Sequence, residues 1–374
     1  MLRRMRRSPR RSIPALAALI LLAACAAPPA ASPSASEAMT PQASASASPP
    51  SPSATEPGSP PASSAPEPVA WSQLGASGPE PREDHTWTVD PDAGIAYLFG
   101  GRDGSTTFGD TWSYDLASDA WTRLAPAASP EGRFGHEAAW VDGIGIVIFA
   151  GQASSDVFFG DLWAYDPAVN AWAELPATGA LPTPRYGSCA GIGPDGRLWI
   201  SHGFTENQVR FFDTRAYDFD TGAWADETPS GGARPIERCL HGCWWTDGGE
   251  LALYAGQTTG TLALDDRWRL ADGAWEQVEG SLPMGRNLYA RARIGATTLI
   301  FGGQAVDGSY LGDLWAFADD SDDATQVELV GDGPQPAGRA GAELIVDDER
   351  SRALLFGGRT TDGALADLWV LGGL

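Results

Sequence analysis

Six arginines, Arg82, Arg133, Arg185, Arg238, Arg286 and Arg339, recur along a 374-residue chain at intervals of 51, 52, 53, 48 and 53 residues. A ring of guanidinium groups could hold an anion through bidentate hydrogen bonds. Each arginine is followed within its repeat by an aspartate, namely Asp110, Asp161, Asp213, Asp266, Asp313 and Asp367. Opposite charges in equal number and strict register are expected to pair with each other, as frame rather than as site. What every repeat shares belongs to the repeat, so chemistry is expected where the repeats differ.

One such position follows a glycine pair, clearest at Gly100-Gly101, Gly302-Gly303 and Gly357-Gly358. The next residue is Arg102, Gln152, Phe204, Gln257, Gln304 or Arg359, and five of these six can donate several hydrogen bonds to a ligand. Phe108, Phe158, Phe159, Phe211 and Tyr310 lie close in sequence and could add apolar contact. For an acid–base pair the candidates are Glu206, Arg102 and Arg359. His85, His136 and His241 each fall three residues after an arginine and read as hydrogen-bonded core histidines.

Cys239, His241 and Cys243 alternate and so share one face of a strand, too far apart for one tetrahedral ion. No metal site is expected there. Cys189 and Cys243 lie at opposite parity after their arginines, which points them toward each other from neighbouring units. Cys189–Cys243 is the expected bridge and Cys189–Cys239 the alternative. The run Asp319-Asp320-Ser321-Asp322-Asp323 could bind calcium, but such runs are more often solvated turns. No nucleophile elbow, His-Glu-x-x-His or Walker loop is present, and no cofactor is expected.

Four short strands per repeat must position these residues. In the first they read as His85–Val89 (strand a), Ile95–Phe99 (b), Thr111–Tyr114 (c) and Trp121–Leu124 (d), separated by Asp/Gly turns. An Asp-x-Trp triplet opens strand c in five repeats, and Arg215 replaces its Trp in the third. A period near fifty with four strands, glycine pairs and tryptophans is the signature of an all-β propeller. Strand direction puts the b–c loops and the d–a connections on one face and the a–b and c–d turns on the other.

The order Pro-x-x-Arg-x-x-His, Gly-Gly, Tyr and Trp resembles the kelch repeat over residues 71–374. The third repeat departs from it, with Ser201-His202-Gly203-Phe204 in place of Phe-Gly-Gly. The resemblance implies a six-bladed kelch β-propeller of four-stranded antiparallel blades, with ligands bound at the b–c/d–a face. Kelch propellers similar to galactose oxidase need copper ligands, and His85, His136, His202 and His241 are not spaced to supply them. Some six-bladed members resemble sugar epimerases acting on sialic acids.

Strand d is expected to begin at Trp121, Trp172, Trp224, Trp275 and Val327, while the sixth repeat stops after strand c. Trp71-Ser-Gln-Leu74 resembles the missing strand, so residues 71–74 are expected to pair near Trp369 and close the ring.

Residues 1–24 combine Arg3, Arg4, Arg6, Arg7, Arg10 and Arg11 with a short apolar run, Ile13 to Ala24, and read as an export signal. Leu22-Ala23-Ala24-Cys25 resembles a bacterial lipobox, which implies a lipid-modified Cys25. Residues 26–70 are mostly Ala, Ser and Pro, a tether with too little apolar surface to fold. Cys25 would anchor the protein to the outer surface of the membrane, or in the periplasm or at the outer membrane of a two-membrane cell.

The 25 basic residues are all arginine, against 48 acidic ones. Without the six leader arginines, 19 remain against 48, a charge of −29. Such a surface repels nucleic acid and anionic lipid. The expectation is a monomeric, envelope-anchored binding or scaffold module for a protein, peptide or glycan. The alternative is a small-substrate sugar enzyme with its site at the channel mouth.

Overall fold

In a computed structural model, which describes residues 69–75 and 77–374, six antiparallel sheets stand around a central axis. The expected signal, Cys25 and the tether up to residue 68 lie outside the described residues. From the axis outward, the first blade is Thr86–Asp90, Ile95–Phe99, Thr111–Asp115 and Ala120–Leu124. The second is Glu137–Val141, Gly145–Phe149, Leu162–Asp166 and Ala171–Glu174; the third is Cys189–Ile192, Leu198–Ser201, Thr214–Asp218 and Ala223–Asp226. The fourth is Gly242–Trp245, Leu251–Tyr254, Arg267–Ala271 and Ala274–Val278. The fifth is Ala290–Ile294, Thr297–Phe301, Leu314–Ala318 and Ala324–Gln326.

The sixth blade takes Ala340–Asp347, Arg352–Thr360 and Leu368–Gly372 from one end of the chain and Ala70–Leu74 from the other. Trp71 stands opposite Leu371 and Gln73 opposite Trp369, so the expected closure holds. Trp71 is buried and meets the ring of Phe301 edge-on at 5.3 Å, tying the chain's first described strand to the fifth blade as well. Burying that indole contributes at most about 5 kcal/mol, from ~25 cal/mol per Å² over ~200 Å².

Two details differ from expectation. Thr178–Gly179 adds a short parallel fifth strand to the outer edge of the third blade. In the fifth blade strand d begins at Ala324, which pairs with Phe317 as Trp121 pairs with Tyr114, three residues before Val327. The small Ala324 occupies the tryptophan's place, and Val327 lies just past the strand.

The Arg–Asp pairs form the expected frame. All six arginines are buried, and each makes two hydrogen bonds to its aspartate, as in Arg82 Nη1–Asp110 Oδ1 at 2.8 Å and Nη2–Oδ2 at 3.1 Å. The same Nη1 donates to the carbonyl oxygen just before strand b turns away, Gly100 O in the first blade and Ala255 O in the fourth. The tryptophan two residues on donates Nε1–H to the aspartate's second oxygen; in the third blade Arg215 Nε takes that role at 3.0 Å. Burial alone would raise each aspartate's pKa, but the arginine's hydrogen bonds and charge outweigh it and hold the carboxyl below its usual range.

Candidate ligand-binding face and channel

Two residues after each frame arginine the chain adopts a left-handed conformation, at Asp84, Gly135, Gly187, Leu240, Leu288 and Gly341, with φ between 52° and 67°. Their backbones make a closed circle. Gly135 N–H donates to Asp84 O, Gly187 to Gly135 O, Leu240 to Gly187 O, Leu288 to Leu240 O, Gly341 to Leu288 O, and Asp84 back to Gly341 O, at 2.7–3.1 Å. Gly135 must be glycine, since a Cβ there would collide with the Tyr186 ring. Leu240 and Leu288 hold a conformation that costs a side-chain-bearing residue about 1–3 kcal/mol each, and the circle over-determines it.

Above this circle, on the b–c/d–a face, charges gather where the first and sixth blades meet. Arg102 lies 2.9 Å from Asp84 Oδ2 and 3.3 Å from Glu83 Oε1, with its guanidinium 4.3 Å over the Phe134 ring. Arg359 Nη1 donates to the same Glu83 Oε1 at 3.0 Å. Tyr186 O–H reaches Asp84 Oδ2 at 3.5 Å. Burial and then the adjacent Asp84 push the Glu83 carboxyl up to about 7, against the pull of Arg102 and Arg359. Burial also raises Asp84, opposed by both arginines and by the Tyr186 hydroxyl.

Below the circle lies a cavity of about 60 Å³, lined by Asp84, Glu137, Arg291, Glu343 and the buried His85, His136 and His241. Arg291 donates to Glu137 Oε2 at 3.4 Å and, through Nε, to Cys243 O at 3.1 Å. Burial pushes Glu137 up to about 7 and Glu343 up to about 8, with Arg291 pulling both down. Burial likewise depresses His85 and His202 to about 3. Both ring nitrogens of His85 and of His241, Nδ1 of His136 and Oδ1 of Asp84 have no protein partner, a set of polar atoms that ordered water could satisfy in a cavity of this size.

The sequence candidates are thus only partly brought together. Arg102 and Arg359 meet at Glu83, whereas Glu206 stands exposed on a single 3-10 turn of the third blade, Glu206–Gln208, on the far side from Arg359. Gln152 Nε2 donates to Ser154 O at 2.6 Å and Gln304 Nε2 to Gly308 O at 3.2 Å, so both donors are engaged within their own loops. Gln257 pairs with Cys239 through the backbone in both directions, and Phe204 does the same with Tyr186. Phe108, Phe159 and Phe211 lie against the guanidinium groups of Arg82, Arg133 and Arg185 at 4.0–4.3 Å and belong to the frame. Phe158 and Tyr310 remain partly exposed.

Cys189 and Cys243 are joined by a disulfide between the third and fourth blades (Cα–Cα 5.6 Å), and Cys239 is a buried free thiol. In the acidic turn Asp319 accepts from Arg293 and from Asp247 N–H, and Asp323 from Ser281 N–H, so the run is the c–d turn of the fifth blade. Sequence reasoning missed Glu83, Asp84, Glu137, Arg291 and Glu343. A usable signal existed for the first two: only the first repeat puts two acids where the others have Phe-Gly, Tyr-Gly, Cys-Leu, Asn-Leu or Ala-Gly.

Residues 66–256 match the KLHDC2/KLHL20/DRC7 kelch-repeats domain. The chain is 31% identical over 219 residues to the tRNA wybutosine-synthesizing protein 4 of Emericella nidulans, covering 54% of this chain and 20% of the relative. It is 34% identical over 139 residues to the Adagio-like protein 3 of Oryza sativa subsp. japonica, covering 34% of this chain and 21% of the relative. Against the N-(sulfonatooxy)prop-2-enimidothioate sulfolyase of Thlaspi arvense it is 26% identical over 191 residues, 41% of this chain and 54% of the relative. The match therefore spans about a fifth of the first two relatives and about half of the third. With the family domain matched over half the chain and six blades built on one Arg–Asp frame, this protein belongs to the kelch-repeat family.

Proposed function

We propose that the protein is an interaction module, held to the cell envelope by a lipid on Cys25, that presents its b–c/d–a face to a protein, peptide or glycan. The kelch frame recurs in relatives whose names describe unrelated tasks, which supports an interaction or scaffold role and no single chemistry. The observation that carries the reading is where the blades differ. Their frame residues repeat six times, while the loop face changes from charged at Glu83, Arg102 and Arg359 to apolar at Phe158 and Phe204.

The test is crosslinking capture from the native envelope by the wild-type protein and by a Phe204→Ala/Gln257→Ala variant. A partner held by the first and released by the second is expected; equal capture by both refutes the face. Anchoring is tested by Cys25→Ala, which should leave the membrane fraction while remaining folded, whereas continued tight membrane association with a processed signal refutes it.

One observation favours a second reading as a small-substrate enzyme. The Glu83–Asp84 pair sits between two arginines at the channel mouth, with Glu83 poised near neutral pH. Turnover of a sialic-acid-containing glycan panel that vanishes in Glu83→Gln would establish it; binding without turnover leaves the interaction module.

A further inference from the structure

Among the described residues nine large hydrophobic side chains stand exposed, and six of them lie on the b–c loops and d–a connections of the second to fifth blades. Val157, Val209, Leu262 and Val306 occupy the b–c loops of the second to fifth blades, 37–60% exposed. Ile236 and Met284, 49% and 61% exposed, stand two residues before Arg238 and Arg286. Those arginines hold the carbonyls of Ile236 and Met284 through Nε at 3.1 Å, which fixes both residues to the same face. The matching position is Glu80, Glu131 and Thr183 in the first three blades and Ala337 in the sixth, so these two apolar side chains belong to the fourth and fifth blades alone. The b–c loops of the first and sixth blades, Asp-Gly-Ser-Thr-Thr and Thr-Thr-Asp-Gly-Ala, are polar. Single exposed aliphatics are ordinary, but six in one crescent are the mark of a contact surface.

The charge on this face is one-sided. Each of the six b–c loops carries one exposed acid, in turn Asp103, Asp156, Glu206, Asp265, Asp307 and Asp362. The face's arginines are engaged: Arg102 and Arg359 with Glu83 and Asp84, Arg210 with Thr259 Oγ1 and the Phe204 ring, and the half-exposed Arg234 with Glu237 at 3.9 Å and the Phe212 ring. An anionic ring around an apolar crescent is complementary to a chain bearing both cationic and apolar side chains. Anionic lipid and nucleic acid are repelled, and a neutral glycan uses only the polar part.

We infer that the crescent over the second to fifth blades docks a polypeptide segment that carries basic and apolar side chains together. The inference rests on the loop face being the binding face and adds the chemistry of its partner.

The test uses the full-length protein in non-ionic detergent and two labelled peptides of equal length, one of alternating Leu and Lys and one of alternating Leu and Glu. Fluorescence anisotropy should show the Lys peptide binding, more weakly at high salt, and the Glu peptide not binding. In Val209→Asp/Met284→Asp the Lys peptide should bind at least about tenfold more weakly, a change of ~1.4 kcal/mol. The sign is decisive, because two added acids would tighten a diffuse attraction to a cation. Should that variant melt early, Asp156→Asn/Glu206→Gln/Asp307→Asn serves instead, and should weaken binding and flatten its salt dependence. Equal or tighter binding by the aspartate variant, or no binding of the Lys peptide, overturns the inference. Binding of the Glu peptide that the aspartate variant abolishes overturns the partner's chemistry while leaving the face reading intact.

Discussion

Arg291 of the fifth blade reaches Glu137 of the second, Nη2 to Oε2 at 3.4 Å, across a ring in which those two blades stand opposite each other. The contact spans the channel beneath the backbone circle, and Glu343 of the sixth blade lies within the same electrostatic field. A cation with two carboxylates leaves one acid undercompensated in a buried space, so protonation is favoured there.

The pH dependence of stability should carry that signature. Glu83, Glu137 and Glu343 have folded pKa values of about 7, 7 and 8 against an ordinary 4.5, so between about pH 4.5 and 8 the folded state binds more protons than the unfolded one. Their contribution to stability is therefore fully present below about pH 4.5 and is lost as pH rises to 8. The buried histidines act in the opposite sense below pH 6.5, so the test is a difference. Glu343→Gln should gain thermal midpoint relative to wild type as pH rises from 5 to 8, and a constant offset would contradict the assignment.

The frame pairs should behave as buried ion pairs. Asp266→Asn leaves the Arg238 guanidinium buried without a charged partner and should cost about 3–5 kcal/mol in urea unfolding. The six frame aspartates have depressed pKa values, so their stabilisation is present above the ordinary carboxylate pKa and is lost as pH falls through the folded values. Wild type should accordingly lose stability steeply below about pH 4, and Asp266→Asn less so.

Ring closure should be costly to undo. Trp71→Ala removes a buried indole from the joint between the fifth and sixth blades and is expected to lower stability by about 3–5 kcal/mol. Guanidinium unfolding of the variant measures it, and a change under 1 kcal/mol would mean that the 70–74 strand is held by its ladder alone.

The disulfide gives a chemical readout. Peptide mapping without reduction should recover Cys189 linked to Cys243 and should find Cys239 alkylated only after unfolding. Reduction should cost about 2–5 kcal/mol, the usual value for a native bridge. A crosslink containing Cys239 would contradict the pairing.

The frame was legible in the sequence because its signals recur at a fixed interval: Arg82 and Asp110 are repeated five more times, and Trp71 reads as a missing strand. The site was less so. Arg102 and Arg359 look like free donors along the chain, but Arg359 and Glu83 are 276 residues apart and meet only when the ring closes. Glu137 and Arg291, 154 residues apart, are brought together by the same symmetry. Phe108, Phe159 and Phe211 looked available for a ligand because loop residues read as exposed, and it takes the folded loop end to lay them on Arg82, Arg133 and Arg185. The fifth repeat has no tryptophan to mark the start of strand d, and register puts Ala324 there rather than Val327.

The strand that closes the ring also gives the molecule a direction. Ala70 pairs with Gly372, at the end of the sixth blade farthest from Asp367 and its loop face, and the strand climbs from there to Leu74. Val69 and Leu374, the two ends of the described fold, thus both lie on the side of the a–b and c–d turns. The acidic and apolar rim of the b–c loops lies on the opposite side of the propeller from both of these ends.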